Sequence, residues 1–298
     1  MFDYRYHALS LAAVLFALVL GVLLGVAIGD SSLLSSAKSG LVHNLSSEVT
    51  QAQHQSDQRQ TKLSEEEAFS GALYPLAMHE LLSNRSIGVL FLGASSDQIN
   101  SLVRSSVTQA NGQVATVVAV REPLDTAGIA QAAAGTHYAG LASAPTPELA
   151  ERFGERGGRQ LVSGGALVNR ELLSRVRSSL LTAFDGQLTR LEGLVVARAH
   201  PTGLSSEQNE LAEAFETGVI AGATAVGVPV VGVELTDTQP SQIPWYQDKG
   251  ISSVDNLDTQ SGQAALVYAL AGDSGTFGQK PTADSLLPSV TTSSSSTP

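Results

Sequence analysis

The sequence contains no cysteine and is poor in methionine, aromatic and charged residues. Of its 298 residues, two are methionine, one is tryptophan and 15% are charged. The lack of cysteine excludes disulfides, thiolate metal sites and sulfur redox chemistry, while it permits an exported location. The chain has 17 lysines and arginines and 28 aspartates and glutamates, which gives a formal net charge of -11. Because binding to phosphates demands a cationic face, nucleic acid is excluded as a partner.

Charge is also missing from a long apolar run near the N-terminus. From Ala8 to Ile28 the only polar side chain is Ser10. A helix of this length is about 30 Å long, which matches the hydrocarbon core of a bilayer. The alternative is a cleaved signal peptide, for which Ala27 and Gly29 offer small residues at a suitable spacing. The run is longer than the apolar region of such a peptide, so residues 1–30 are predicted to form a transmembrane anchor.

The charges that flank this run predict the orientation of the anchor. Arg5 and the terminal amine precede it, offset by Asp3, and Lys38 is the nearest cation after it. The positive-inside rule therefore places the N-terminus in the cytoplasm. The rest of the chain is expected outside the cytoplasm, in the cell envelope.

Small residues recur every fourth position along the predicted anchor. We call this set the small-residue ridge, and it consists of Ala13, Ala17, Gly21, Gly25 and Gly29. This spacing places the residues on one helix face, where they let a second helix approach closely. Self-association or association with a partner transmembrane protein is expected. The alternative is that glycine and alanine are simply frequent in spanning helices.

Residues 31–83 form a predicted helical stalk. The segment is rich in serine, glutamine and glutamate, and its apolar residues keep a thin stripe at helical spacing. They are Leu34, Leu41, Leu45, Val49, Ala52 and Leu63. The stripe predicts a long helix that is either a coiled coil or a single solvated spacer.

Residues 84–275 are predicted to form an α/β domain, because short apolar runs alternate with helical periodicity. The expected architecture is a Rossmann-like or flavodoxin-like three-layer domain with a mostly parallel sheet. Residues 276–298, which end in serine, threonine and proline, are expected to be a disordered tail. The predicted strands are 87–92, 114–120, 160–163, 193–197, 229–235 and 251–254. The predicted helices are 95–110, 168–184, 205–222 and 260–271.

No complete catalytic or nucleotide-binding motif is present, so a non-enzymatic protein is expected. Open α/β sheets bind ligands beyond the carboxyl ends of their strands. Asp237, Asp255 and Asp258 are predicted at this end, where carboxylates act as acid and base or hold a cation. The alternative role is structural, since Asp258 directly precedes a predicted helix and is placed to cap it.

Metal ligands are scarce in the sequence. No two of the six histidines stand three or four residues apart, as chelation on one helix requires. Met78 and His79 bring together a thioether and an imidazole, which are donors that suit Cu(I). They are the candidate metal residues, and no resident cofactor is predicted.

Two segments resemble one known family. Residues 6–15 and 18–25 resemble the N-terminus of the actinobacterial copper transport protein B family, described in mycobacteria as a channel-forming outer-membrane protein. Residues 250–258, with 262–263 and 265–270 behind them, are similar to its C-terminal region. The resemblance implies copper efflux or copper tolerance across the envelope, with copper as a transported ion.

The apolar character of the anchor limits how this chain could form a transport path. A lone apolar helix offers no polar face to a pore, so a pore requires several associated helices or a membrane partner. Relatives of the family are also linked to envelope assembly and cell separation, which makes an envelope scaffold the alternative. A small-molecule binding module is a third hypothesis that rests on analogy of fold.

Overall fold

A computed structural model describes residues 4–29, 31–140, 145–164, 176–199 and 201–288. The chain separates into two compact units, Met1–Ala68 and Phe69–Pro298. Within the described residues the fold is mixed α/β, with an apolar N-terminal helix and a mostly parallel seven-stranded sheet. The predicted α/β class with an apolar N-terminal helix and a mostly parallel sheet is thereby confirmed.

The first unit is helical. Helix α1 spans Tyr4–Ile28, and helix α2 spans Ser31–Met78, so that its last ten residues belong to the second unit. The segment His7–Ala27 of α1 is long and apolar enough to cross a membrane, and none of it is buried in the structure. Large apolar side chains are exposed on all sides of α1, which is typical of a helix whose surroundings are lipid.

The second unit is built around the sheet. The strands are β1 (Ser86–Gly93), β2 (Gln113–Val120), β3 (Leu181–Gly186), β4 (Gly193–Ala199), β5 (Val230–Val233), β6 (Ser252–Val254) and β7 (Thr276–Phe277). Their order is β3-β2-β1-β4-β5-β6-β7. Neighbouring strands are parallel except β3, which pairs antiparallel with β2. The carboxyl ends of the parallel strands therefore share one edge of the sheet.

Helices connect the strands, and most begin at a side chain that caps them. They are α3 (Asp97–Gln109), α4 (Thr126–Ala132), a 3₁₀ turn (His137–Ala139), α5 (Pro147–Ser163), α6 (Ser206–Thr224), α7 (Ile243–Asp248) and α8 (Gln260–Ala271). Ser96, Thr146 and Thr259 each accept a hydrogen bond from a main-chain N–H in the first turn of the following helix. Ser205 forms a reciprocal capping box with Gln208 at the start of α6.

The sheet is covered on both faces. Leu90 and Leu92 of β1 pack into one core with residues of α5 and α6. Val89 and Phe91 alternate with them and face the other core, which contains residues of α3 and α8. Such two-sided burial explains why the parallel strands are continuous apolar runs. Met78, from the last turn of α2, is fully buried in the second core.

Helices α5 and α6 cross at four glycines. A Cβ added at Gly154, Gly158, Gly218 or Gly222 would lie 2.2, 2.1, 2.0 or 1.9 Å from a main-chain oxygen of the facing helix. Each helix thus contributes two glycines four residues apart, and the two backbones are in direct contact. No larger side chain fits at these positions unless the helices separate.

One predicted element of this domain is wrong, and a second is wrong in part. Residues 160–163, predicted as a strand, form the last turn of α5, which ends at Gly164 with φ 69°. The apolar pair Leu161 and Val162 belongs to the buried face of that helix. Of the predicted helix 168–184, residues 176–180 are helical, whereas 181–184 lie in β3, where pairing with β2 decides their conformation. The earlier part of that predicted helix, 168–175, lies outside the described residues.

The predicted disordered tail also begins too early. Thr276–Phe277 forms β7, which pairs with β6 and covers an edge of the sheet, and Phe277 is buried. The pairing satisfies main-chain groups that would otherwise be exposed on an edge strand. Residues 278–288 follow in described positions, and 289–298 lie outside the described residues.

The helix crossing predicts opposite effects for two neighbouring glycines. Gly158→Ala forces α5 and α6 apart and is expected to lower the free energy of unfolding by about 1–3 kcal/mol. Gly157→Ala is the matched control, because nothing lies within 4 Å of its added Cβ. This control is expected to raise stability by about 0.5–1 kcal/mol, since alanine loses less entropy in a helix. Urea unfolding of the detergent-solubilised chain measures both, and equal effects would contradict the crossing geometry.

Candidate functional site

The carboxyl edge of the sheet gathers most of the buried charge in the described domain. Glu122 follows β2, Arg198 lies near the end of β4, and Glu234 follows β5. The strand order reverses between β1 and β4, which is where open α/β sheets characteristically form a ligand crevice. This edge is the candidate site.

Arg198 is the centre of the first group of residues, which we call the Arg198 cluster: Glu122, Arg198, Glu216, Gln242, Trp245 and Tyr246. Two guanidinium nitrogens, Nε and Nη2, each lie 2.9 Å from Oε2 of Glu216. Nη1 donates to Oε1 of Gln242 at 2.7 Å, and the guanidinium stacks over the Trp245 ring at 4.6 Å. The Glu216 side chain is 0% exposed and that of Arg198 is 10% exposed, so the ion pair is buried. Such a pair is specific in geometry and costly to break.

Glu122 adds a second carboxyl group to this cluster. Burial raises its pKa to about 9, and the charge of Glu216 and a hydrogen bond with it act in the same direction. Arg198 opposes the shift but does not outweigh it. Burial and the neighbouring charge of Glu216 thus favour the protonated form of Glu122 at neutral pH.

Tyr246 fixes the main chain of this edge. Its hydroxyl accepts a hydrogen bond from the Arg198 N–H at 2.9 Å and donates one to the Val233 carbonyl at 3.3 Å. Burial raises the pKa of Tyr246, so the phenol stays neutral. Its ring covers Gly232, where an added Cβ would lie 2.4 Å from the ring. Strands β4 and β5 are thus tied together from the α7 side.

Glu234 and Lys280 form the second group. Glu234 accepts hydrogen bonds from the Ser241 hydroxyl at 2.7 Å and from the Gln242 N–H at 2.5 Å, and it pairs with the Lys280 ammonium. Asp255 accepts the main-chain N–H groups of Gln279 and Lys280, both at 2.8 Å. Since Gln242 bonds to both Arg198 and Glu234, one polar network runs from β4 to the C-terminal segment.

The three aspartates predicted for this edge have different surroundings. Asp255 is fully buried in the second group, whereas Asp237 is exposed. Asp258 accepts hydrogen bonds from the Thr236 N–H and hydroxyl, both at 2.8 Å. Burial tends to raise the pKa of Asp258, but these hydrogen bonds outweigh it and lower the pKa. The cap of α8 is Thr259, so the expectation that Asp258 caps this helix is wrong.

The two candidate copper ligands, Met78 and His79, also have different surroundings. Met78 is fully buried in the core, whereas the His79 side chain is exposed and lies 3.9 Å from Glu80. Among the residues that the structure describes, no three His, Asp or Glu side chains lie close enough together to hold a metal ion.

Four residues of the small-residue ridge, Ala13, Ala17, Gly21 and Gly25, lie on an accessible face of α1, which ends at Ile28 before Gly29. A Cβ added at Gly21 or Gly25 would meet nothing within 4 Å. Ala13 and Ala17 lie in a shallow groove that is bounded by Leu9, Phe16 and Leu20. The ridge is therefore open to another helix.

Sequence reasoning missed the Arg198 cluster, although two features hint at it. Arg198 is a lone cation directly after the apolar run of β4. Glu216 occupies a position on α6 between buried residues, next to Phe215 and one turn from Val219. A charge at the end of a buried strand and a charge on a buried helix face indicate partners for each other.

Together these features define the class of protein, which is an α/β domain preceded by an apolar helix that is able to span a membrane. The carboxyl edge of the sheet in this domain holds a buried charge network. The chain belongs to the family of the copper transport outer membrane protein MctB, whose model matches residues 1–288. The resemblance inferred from residues 6–25 and 250–270 is thereby confirmed.

Relatives of similar length carry the same family name. Proteins named copper transporter MctB from Mycobacterium tuberculosis and Mycobacterium bovis are 24% identical to this chain over 299 residues. The match covers 91% of this chain and 92% of each relative. The likeness thus extends over the anchor, the second helix and the α/β domain together.

Breaking the buried ion pair is expected to destabilise the domain strongly. Arg198→Ala removes the cation that Glu216 contacts in its buried position, and breaking such a buried pair costs about 3–5 kcal/mol. Arg104→Ala is the matched control, because its pair with Asp185 is exposed and worth about 0–1 kcal/mol. Urea unfolding measures both variants. Equal losses would show that the buried pair has no special weight.

Glu122 predicts a pH dependence of stability. Its folded pKa of about 9 lies above the ordinary value of 4.5, so its contribution is fully present below pH 4.5 and is lost as the pH rises through 9. Glu122→Gln is expected to flatten stability over this window and to stabilise the chain at neutral pH. Melting temperatures measured across this pH range test the expectation, with Asp273→Asn, at an exposed position, as the control. An unchanged pH profile in Glu122→Gln would contradict it.

Proposed function

We propose that this chain is a single-pass, membrane-anchored envelope protein that acts in copper transport. The observation that carries the proposal is the family match over residues 1–288, which includes both the spanning helix and the α/β domain. The relatives that it resembles over nine-tenths of their length are named copper transporters. Copper is the transported ion in this proposal, and no resident cofactor takes part.

The proposed orientation places the N-terminus in the cytoplasm and the α/β domain outside it. The cationic Arg5 and terminal amine precede α1, which supports this orientation through the positive-inside rule. The absence of cysteine suits an oxidising compartment. The domain is proposed to be non-enzymatic, in keeping with the name of the family.

The finer architecture is proposed to be Rossmann-like. Strands β2, β1, β4, β5 and β6 are parallel, their order reverses next to β1, and helices cover both faces. For α2 we propose coiled-coil pairing. Leu41, Leu45 and Val49 are exposed at successive helical turns, which supports a second helix along this stripe.

The proposed transport function depends on helix association. The apolar segment of α1 offers no polar face, so a copper path requires several chains or a partner transmembrane protein. The small-residue ridge supports close packing of such helices, because Gly21 and Gly25 are open to contact. A homo-oligomer formed through this face is the arrangement that we propose.

An envelope scaffold is the second candidate. The exposed stripe of α2 and the ridge of α1 are association surfaces whose use requires no ion. A scaffold of this kind acts in envelope assembly or cell separation together with a membrane partner.

The deciding experiment measures cell-associated copper under copper load in a deletion strain, with cell separation scored on the same cultures. Transport predicts that copper rises in the deletion strain and falls on complementation with the wild-type chain. Complementation with the double variant Gly21→Leu, Gly25→Leu is expected to fail, because leucines separate the helices. The matched control is Val19→Leu, Leu23→Ile, which keeps bulk on the opposite face and is expected to complement.

The other outcomes separate the hypotheses. If copper is unchanged while cells fail to separate, the scaffold replaces transport. If the ridge variant complements fully, transport does not depend on this face of α1.

A further inference from the structure

The Lys280 ammonium lies in a cage of oxygen atoms at the carboxyl ends of β5 and β6. Besides the carboxylate of Glu234, its Nζ donates to the main-chain carbonyls of Thr238 at 3.2 Å and Leu235 at 3.4 Å. The side chain of Lys280 is 15% exposed. The three ammonium protons therefore have three oxygen acceptors, which we call the Lys280 cage.

The main chain at Lys280 is held by hydrogen bonds that do not involve its side chain. The N–H groups of Gln279 and Lys280 donate to the two carboxylate oxygens of Asp255, which is fully buried. At Gly278, with φ 144°, an added Cβ would lie 1.8 Å from the same carboxylate. The turn that delivers the lysine is thus built against the sheet, and glycine is required for the close approach.

The charges around the cage favour a cation. Glu234 and Asp255 are two buried carboxylates, and the other partners described for Glu234 are the neutral Ser241 hydroxyl and Gln242 amide. The charge of Lys280 also helps to lower the pKa of Asp258 nearby. Without the Lys280 ammonium, the buried Glu234 carboxylate would lose the cation that it contacts, which is strongly unfavourable.

We propose that the Lys280 cage is a cation-binding site, with Lys280 as a ligand tethered to it by the C-terminal segment. When the lysine side chain is removed, the cage takes a small primary alkylammonium ion, whose three N–H groups match its three oxygens. The atoms that line the cage are all oxygen, which suits ammonium and hard cations and disfavours Cu(I). The site is therefore independent of the proposed copper function.

The test uses the full chain in detergent with Lys280→Ala. This variant is expected to melt several degrees below the wild type. Millimolar propylammonium chloride is expected to restore at least half of the loss, because the ion replaces both the charge and the N–H donors. Tetramethylammonium chloride at the same ionic strength has no N–H donor and is expected to restore nothing. The wild type, whose cage is filled, is expected to respond to neither salt.

Two further variants separate charge from packing. Lys280→Met keeps an unbranched stem in the cavity without charge, so it is expected to lose stability and to show no recovery with propylammonium. Lys249→Ala removes a lysine that pairs with the exposed Asp248, and its melting temperature is expected not to respond to propylammonium.

The proposal is overturned if Lys280→Ala is as stable as the wild type. It is also overturned if tetramethylammonium or neutral propanol restores as much stability as propylammonium. Should Lys280→Ala be unfolded without additives, the same compounds are added during refolding. Recovery with propylammonium alone then supports the cage, and failure with all of them overturns it.

Discussion

The buried contact between Arg198 and Glu216 is the interaction on which the carboxyl edge of the sheet depends. It joins the end of β4 to the middle of α6, and through Gln242 it extends to Glu234, Lys280 and the C-terminal segment. Each charge is tolerated because its partner is in place, since an isolated buried ion would be far more costly than the pair is favourable. The network therefore fixes where α6, α7 and the C-terminal segment sit against the strands.

This edge is used in an unusual way for an open α/β sheet. The carboxyl edge, where such sheets characteristically bind ligands, is lined by the chain's own groups. The Glu122 carboxyl lies after β2, the Tyr246 phenol bonds to β4 and β5, and the Lys280 ammonium lies at the ends of β5 and β6. Exposed apolar side chains lie on α1 and α2, where association is proposed. The family to which the chain belongs is named for copper transport rather than for catalysis.

Local patterns made part of the fold predictable. The apolar run of α1, the short apolar runs of β1 and β2 and the helical periodicity of α6 are signals within a few residues, and the elements that they predict are present. The errors arose where the same pattern fits two structures. Leu161 and Val162 suit a buried strand as well as the last turn of a helix, and only packing of α5 against α6 decides between them. The short strand β7 has too little pattern of its own and forms because β6 offers an edge.

The sequence by itself determined the anchor, the α/β class and the family, because a spanning helix, buried strands and the family segments are each contiguous in the chain. Only the tertiary structure decided which charges meet. Arg198 and Glu216 are separated by 18 positions and Glu234 and Lys280 by 46, and no periodicity connects them. Their pairing follows from the strand order, which brings the ends of distant segments to one edge. The pKa of Glu122 and the occupant of the Lys280 cage are consequences of that assembly, since burial and proximity exist only after the sheet has formed.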